Sequence, residues 1–341
     1  MPIVDVRELA KTFSVKRKEA GLRGSFKSIV RPEFHSVEAV RGISFSLEPG
    51  ELLAFIGPNG AGKSTTIKIL TGILYPTGGQ AQVLGLVPWR DRRRLAYRIG
   101  SVFGQKPQLW YHLPPIDTFN LFAKIYELED RAFRQRADYL IEAFEIRELI
   151  YTPVRKLSLG QRMRCEIAAS LLHHPQVIFL DEPTIGLDVV AKQQIRDTVK
   201  TLHELEGTTI FLTSHDAGDI ESICKRVIIV NHGTILYDDR LSALKRRYLT
   251  RKEIDVRFAQ ALNGGFTMDG VDVLKVGAYG VKLQFDTRDT PVDSVIQRLM
   301  SERAVIDINV ADPPLEEIIA RIYREPEGGR MGRSEDGQSE V

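Results

Sequence analysis

The most informative segment of this 341-residue chain reads GPNGAGKST at residues 57–65. It fits the pattern GxxxxGK followed by Ser or Thr, in which glycine N–H groups close around phosphates, the lysine reaches the outer phosphates and the hydroxyl binds Mg²⁺. An all-apolar run at residues 52–56, typical of a buried parallel strand, precedes it, and a helical stretch follows. The segment therefore predicts a nucleotide-binding P-loop formed by Gly57, Pro58, Asn59, Gly60, Ala61, Gly62, Lys63, Ser64 and Thr65.

Strand patterns alternate with helical patterns downstream of this segment. Apolar runs at residues 177–180, 209–213 and 227–230 are typical of buried strands, and residues 191–205 have helical periodicity. The periodicity of residues 114–174 is also helical, which predicts a helical insertion. Because strands that alternate with helices form parallel sheets covered on both faces, the pattern indicates a doubly wound α/β core.

Two further segments carry polar groups where chemistry is expected. Asp181 and Glu182 end the apolar run at residues 177–180, at the edge where open sheets bind ligands, so that one acid can serve a metal and its neighbour a water. The stretch LSLGQ at residues 157–161 opens a helix with Ser158 as its N-cap. Gly160 then leaves a bare N–H near the positive end of the helix dipole, which predicts a second phosphate-binding surface.

In this order the motifs resemble those of the nucleotide-binding subunits of ABC transporters. The resemblance covers about residues 1–245 and identifies Walker A at residues 57–64, the Q-loop at Gln105, the signature at 157–161, Walker B at 177–181, the D-loop at 186–188 and the switch histidine at His215. One position departs from the family, since Leu159 stands where a glycine is most common. The neighbouring Ser158 and Gly160 are kept, so we expect function to survive.

The resemblance implies a role for each of these residues. The expected catalytic residues are Lys63, Gln105, Glu182 and His215, and the expected Mg²⁺ ligands are Ser64, Gln105 and Asp181. Beside the P-loop, the expected ATP contacts are Ser158, Gly160, Gln161 and Asp188. An aromatic residue after the first strand is expected to stack on adenine; Phe13 is the first candidate and Phe34 the second.

The same resemblance implies a reaction and its partners. Two copies are expected to stack head to tail, so that Ser158 and Gly160 of one complete the ATP site of the other. Hydrolysis of ATP with Mg²⁺ is then expected to drive separate transmembrane permease subunits. The subunit is accordingly expected at the cytoplasmic face of the membrane, as a peripheral protein.

The chain is predicted to have further parts beyond the ATPase domain and its helical subdomain, residues 103–174. Residues 250–323 have short alternating strands with helices, which predicts a small α+β, ferredoxin-like domain. This part resembles the C-terminal extension of daunorubicin-resistance and sodium-export ATPases, which implies the ABC-2-type exporter branch. The Gly-rich, charged tail at residues 324–341 is expected to be disordered.

An insertion at residues 14–37 has a local net charge of +4. Its pattern predicts a short basic amphipathic helix that docks the subunit at lipid headgroups or a permease, with a solvated basic loop as the alternative. Trp110 and Tyr111 are predicted either to meet the membrane subunit or to lie in the core.

Composition limits the alternatives. The net charge of +2 is too close to neutral for an all-over nucleic-acid binder, and two cysteines cannot form a disulfide framework. No stretch approaches about 18 uninterrupted apolar residues, so no membrane span is expected. The alternative function is a non-transport ABC ATPase that acts on a nucleic-acid or ribosomal machine. A single nucleotide-binding domain without zinc or coiled-coil insertions disfavours it, and we expect no nucleic-acid partner.

Overall fold

The computed structural model describes residues 1–16, 34–104, 106–248, 251–262 and 266–324. Contacts divide the chain into two units, Met1–Asp239 and Arg240–Val341. Within the described parts of the chain, no helix combines the length and the apolar character that crossing a membrane requires.

The strands of the first unit are β1 (Val4–Lys16), β2 (Phe34–Leu47), β3 (Leu52–Ile56), β4 (Gly78–Val83), β5 (Ile99–Phe103), β6 (Val177–Asp181), β7 (Thr209–Ser214), β8 (Arg226–Asn231) and β9 (Thr234–Arg240). Its helices are α1 (Lys63–Leu70), α2 (Arg92–Ala96), α3 (Pro115–Ile125), α4 (Asp130–Ala143), α5 (Leu159–Ser170), α6 (Val189–Glu206) and α7 (Ala217–Ile223). A short 3-10 turn (Val154–Lys156) precedes α5.

A six-stranded sheet forms the core of this unit, in the order β5-β6-β7-β3-β8-β9. The pairs β5–β6, β6–β7, β7–β3 and β3–β8 are parallel. Every residue of β3, β6 and β7 is buried, so their apolar runs show no alternation, as expected for strands covered on both faces. The α/β fold predicted from the sequence is therefore confirmed.

The parallel register brings the carboxyl ends of four strands together. Ile56 pairs with Ser214, Asp181 pairs with Thr213, and Phe103 pairs with Asp181. Each chain segment that leaves these strands therefore starts at the same edge of the sheet. The P-loop and the Asp181-Glu182 pair are two of these segments.

A second sheet, in the order β2-β1-β4, flanks the P-loop. Strands β1 and β2 form a long antiparallel hairpin in which Lys16 pairs with Phe34. Residues 14–16 and 34–37, the two ends of the predicted basic insertion at residues 14–37, belong to these strands. Residues 17–33, which carry the predicted amphipathic helix, lie outside the described part of the chain.

The helical insertion contains α3, α4 and α5. Glu129 caps α4 by accepting from the backbone N–H groups of Arg131 and Ala132. Ser158 and Gln161 form a reciprocal capping box at the start of α5. The Arg136 guanidinium of α4 makes two hydrogen bonds of 2.7 and 2.8 Å with Glu206 at the end of α6, which joins the insertion to the sheet-covering helices.

The second unit contains α8 (Leu241–Tyr248), β10 (Arg251–Phe258), β11 (Asp272–Val276), β12 (Gly280–Asp286), α9 (Val292–Glu302), β13 (Val305–Ala311) and α10 (Leu315–Arg324). Its sheet has the order β11-β12-β10-β13, and each neighbouring pair is antiparallel. Ile254, Val256 and Leu283 of this sheet pack with Val295 and Leu299 of α9. The described residues between β10 and β11 hold no helix, where a ferredoxin-like chain has one. Of the predicted tail, residues 325–341 lie outside the described part.

Candidate functional site

The P-loop connects β3 to α1 and packs closely against β2. Gly62, the residue before α1, has φ of +104°, a conformation that favours glycine. A Cβ atom at Gly62 would lie 2.4 Å from the carbonyl oxygen of Ala39. The glycine is therefore required both by the turn and by the strand beside it, and the loop ends at the positive N-terminal end of α1.

Lys63 extends from the first turn of α1 and is only 4% exposed. Its Nζ donates to the carbonyl oxygens of Gly57 at 2.8 Å and Pro58 at 3.3 Å. The same Nζ lies 3.1 Å from Oε1 of Glu182, so the ammonium group pairs with the carboxylate at the end of β6. These contacts hold the Lys63 ammonium group beside the P-loop.

Ser64, Asp181 and Thr213 form a second connected group. Ser64 Oγ donates to Oδ1 of Asp181 at 3.1 Å, and Thr213 Oγ1 donates to the same oxygen at 2.7 Å. Mg²⁺ prefers hydroxyl and carboxylate oxygens, and here one of each lies within hydrogen-bond distance beside the P-loop. The residues present therefore fit a Mg²⁺ ion at Ser64 and Asp181.

Glu182 is held in an unusual backbone conformation. Its φ is +52°, which is rare for a residue with a side chain and is typical of functional sites. Its N–H donates to the carbonyl oxygen of Thr213 at 3.1 Å and to Oγ1 of Thr213 at 3.0 Å. His215 Nδ1 lies 3.7 Å from Glu182 Oε2. The structure thus brings together three of the predicted catalytic residues, Lys63, Glu182 and His215.

The fourth predicted catalytic residue, Gln105, lies outside the described part of the chain. Its neighbour Gly104 donates its N–H to the carbonyl oxygen of Asp181 at 2.9 Å. A Cβ atom on Gly104 would lie 2.3 Å from the carbonyl oxygen of Glu182, so only glycine fits there. The residue before Gln105 therefore contacts the backbone of both Asp181 and Glu182.

The signature residues lie beside the D-loop of the same chain. A Cβ atom on Gly160 would lie 2.7 Å from Cβ of Ala191, so packing against α6 itself requires a glycine at this position. Asp188 caps α6 by accepting from the N–H of Ala191 at 2.9 Å. The side chains of Ser158 and Gln161 each accept a hydrogen bond from the other's backbone N–H, in the capping box described above. The start of α5 and the start of α6 therefore form one rigid corner.

The two adenine candidates lie on the β1–β2 hairpin. Phe13 pairs with Val37, is half-buried, and has Lys11 Nζ 5.0 Å from its ring centroid. Phe34 is 61% exposed and lies at the far end of the described hairpin. Both remain predictions. Phe13 is favoured because its pairing partner Val37 lies two residues from Ala39, which contacts the P-loop.

Sequence reasoning missed Thr213 and Gly104. Thr213 binds both carboxylate residues through its hydroxyl and carbonyl oxygens, and its only sequence signal is its position two residues before His215. Gly104 directly precedes Gln105, so its proximity to a predicted site residue was the available signal.

Comparison with known proteins identifies a family with these motifs. A family described as ABC transporter matches residues 40–185. The linearmycin resistance ATP-binding protein LnrL of Bacillus subtilis is 30% identical over 83% of this chain and 93% of its own length. A fluoroquinolones export ATP-binding protein of Mycobacterium tuberculosis is 37% identical over 68% of this chain and 76% of its own length.

The fold comparison agrees with the sequence comparison. The structure of cbiO1 from Clostridium perfringens, part of the ABC transporter complex cbiONQ, has a TM-score of 0.59 and 26% identity to this chain. The similarity covers 72% of this chain and 91% of that chain.

A buried carboxyl group on α5 gives a pH prediction. Glu166 is 1% exposed, and burial raises its pKa from 4.5 to about 7, although Arg162 and the Gln108 N–H oppose this shift. The protonated form suits the site, so its stabilising contribution is complete below about pH 4.5 and is lost as the pH rises through about 7.

We therefore expect Glu166→Gln to unfold much like the parent chain at pH 5 and to be more stable at pH 8, by up to about 3 kcal/mol. Urea unfolding at both pH values measures the difference. The exposed Glu148→Gln is the control and should show no such trend. An equal effect of Glu166→Gln at both pH values would contradict this account.

Proposed function

Because this chain belongs to the ABC transporter family of ATP-binding proteins and is an ATPase, we propose that it hydrolyses ATP to power an ABC-2-type exporter. The ion pair between the buried Lys63 and Glu182 at the P-loop is the observation that carries the proposal. The Lys63 ammonium group, proposed to bind the outer phosphates, lies 3.1 Å from the Glu182 carboxylate, proposed to activate the attacking water. The exporter assignment is supported by relatives whose names describe drug resistance and export.

The proposed mechanism relies on position and charge. The loop N–H groups and Lys63 bind the phosphates, and Glu182 accepts a hydrogen bond from the attacking water and polarises it. Glu182 combines its positive φ with a carboxylate that lies 3.1 Å from Nζ of Lys63. His215, whose Nδ1 lies 3.7 Å from Glu182 Oε2, is proposed to orient that carboxylate.

Mg²⁺ is the proposed cofactor at Ser64 and Asp181. When bound, it supplies charge neutralisation at the phosphate oxygens. Thr213 holds the Asp181 carboxylate through the 2.7 Å hydrogen bond, so this side chain is oriented in advance. Gln105 is proposed as a further ligand from the family resemblance alone.

We propose that two copies share each ATP site. Ser158 is exposed at the N-terminus of α5, and Val189 and Val190 at the start of α6 are 81% and 69% exposed. These residues surround the rigid corner that contains Asp188, so an exposed apolar surface adjoins the signature. Burial of such a surface in a head-to-tail dimer would bring Ser158, Gly160 and Gln161 to the ATP of the partner copy.

A separate permease is the second proposed partner, at the cytoplasmic face of the membrane. Tyr111 is 56% exposed and Leu113 37% exposed. Their carbonyl oxygens accept from Arg155 and Val154, at 2.9 and 3.0 Å, which places both beside the turn that follows the 75% exposed Tyr151. Exposed aromatic side chains grouped in this way are typical of a protein contact.

The first test replaces the proposed catalytic carboxylate. We expect Glu182→Gln to retain ATP binding and to lower steady-state hydrolysis at least about a hundredfold, because water activation is lost from a preorganised site. Phosphate release measures turnover, and gel filtration with ATP should detect an accumulated dimer. The exposed Glu145→Gln serves as the matched control. Turnover near the parent value in Glu182→Gln would refute the assignment.

The second test asks whether the sites are shared. Lys63→Ala and Ser158→Arg should each be inactive alone, because each dimer then has two defective sites. Random pairing of the two variants creates mixed dimers with one intact site, so an equal mixture should recover about one quarter of the parent activity. Phosphate release from the mixture measures this. No recovery would indicate that Lys63 and Ser158 act in the same chain.

The third test concerns the permease. Tyr111→Glu should keep ATP hydrolysis within about twofold of the parent, because its side chain is exposed, and should reduce binding at a desolvated contact. The fraction of protein that sediments with membranes of the source cell measures the association. Tyr75→Glu, which changes another exposed tyrosine, is the control. If Tyr111→Glu sediments as the parent chain does, Tyr111 is not part of the permease contact. If the parent chain itself does not sediment with the membranes, the proposal that it powers an exporter is contradicted.

A further inference from the structure

A completely buried carboxylate lies behind the catalytic residues. Asp219 of α7 is 0% exposed and accepts hydrogen bonds from three side chains. Thr184 Oγ1 donates to its Oδ2 at 2.5 Å, and Ser214 Oγ donates to the same oxygen at 2.7 Å. Arg196 Nε donates to Oδ1 at 2.7 Å. Since Thr184 and Ser214 are also buried, the group is shielded from water.

The three partners of Asp219 come from three different segments. Thr184 lies two residues after Glu182, in the turn that leads to Asp188, and its carbonyl oxygen accepts from the N–H of Leu187 at 3.2 Å. Ser214 ends β7 and directly precedes His215. Arg196 lies on α6, the helix that follows the D-loop. One carboxylate therefore connects the chain segments that carry Glu182, His215 and the D-loop.

Ser214 links this carboxylate to the turn that presents His215. Its hydroxyl donates to Asp219 and accepts from the N–H of Asp216 at 2.9 Å. Asp216 then caps α7 through the N–H of Gly218 and pairs with Arg196 at 3.1 Å. His215 therefore lies between two residues that are both fixed by the Asp219 group, while its own side chain is 51% exposed.

We propose that Asp219 is a positioning residue for ATP hydrolysis, which holds the His215 turn and the turn after Glu182 in one fixed relation. None of its three donors belongs to the P-loop, so its effect falls on the hydrolysis step and little on ATP affinity. The inference rests on the proposed roles of Glu182 and His215. Buried hydrogen bonds to a carboxylate are strong, and small misplacements of catalytic groups are costly, so the loss of one donor affects turnover.

The test removes the two hydroxyl donors one at a time from the full chain. Thr184→Val and Ser214→Ala keep nearly the same shape, and each should lower kcat at least about tenfold with the KM for MgATP changed less than about twofold. Asp219→Asn should act in the same direction. The control is Ser222→Ala, an exposed α7 residue whose hydroxyl donates to the carbonyl oxygen of Gly218 at 2.6 Å, and it should leave kcat unchanged.

A second measurement separates positioning from stability. If Ser214 acts through His215, Ser214→Ala should cost little further activity once His215→Ala is present. Three results would each overturn the proposal. Both hydroxyl variants could keep kcat within about twofold of the parent, they could raise only KM, or the effect of Ser214→Ala could add fully to that of His215→Ala. Should Asp219→Asn fail to fold, the two hydroxyl variants still decide the question.

Glu182→Gln in the same assay distinguishes the two levels of failure. If it remains active, the proposed catalytic site is wrong. If it is inactive while Thr184→Val and Ser214→Ala hydrolyse ATP normally, the site stands and only the positioning role of Asp219 fails.

Discussion

The parallel register of β3, β6 and β7 is the constraint on which the site depends. Because Ile56 pairs with Ser214 and Asp181 pairs with Thr213, the P-loop, the two carboxylates and His215 all follow the sheet at one edge. A shift of one residue in the β6–β7 pairing would turn Asp181 toward the opposite face of the sheet. The hydrogen bonds of Ser64 and Thr213 to a single Asp181 oxygen then fix the first turn of α1 and the end of β7 relative to β6.

Burial gives these polar groups their strength and also limits which residues fit. Lys63 and Glu182 are nearly enclosed, so each charge offsets part of the desolvation cost of the other. The backbone around them is equally crowded, since Gly62 approaches Ala39 and Gly104 approaches Glu182 too closely for any side chain. Close backbone contacts thus preorganise the P-loop and Glu182, the proposed catalytic carboxylate, as electrostatic catalysis requires.

Several parts of the fold were open to prediction from sequence, and others were not. The buried strands at 177–180 and 209–213 were predictable because an apolar run without alternation suits a parallel sheet, and the helix at 191–205 was predictable from its periodicity. The extension of β1 to Lys16 and of β2 back to Phe34 was not, because those residues are polar or exposed and are held by pairing with each other. The absence of a helix from the described residues between β10 and β11 likewise left no local signal that periodicity could detect.

The sequence by itself determined the kind of chemistry: the P-loop, the paired carboxylates and the capped signature helix each depend on local residue types at fixed spacing. Only the tertiary structure decided how these groups meet. The Lys63–Glu182 contact and the Asp219 group join residues far apart in the chain, and their distances follow from sheet register and helix packing. Gly160 shows the difference most clearly. The sequence suggested that it leaves an N–H group free for phosphate, whereas the fold also requires a residue without a side chain there, because Ala191 lies too close.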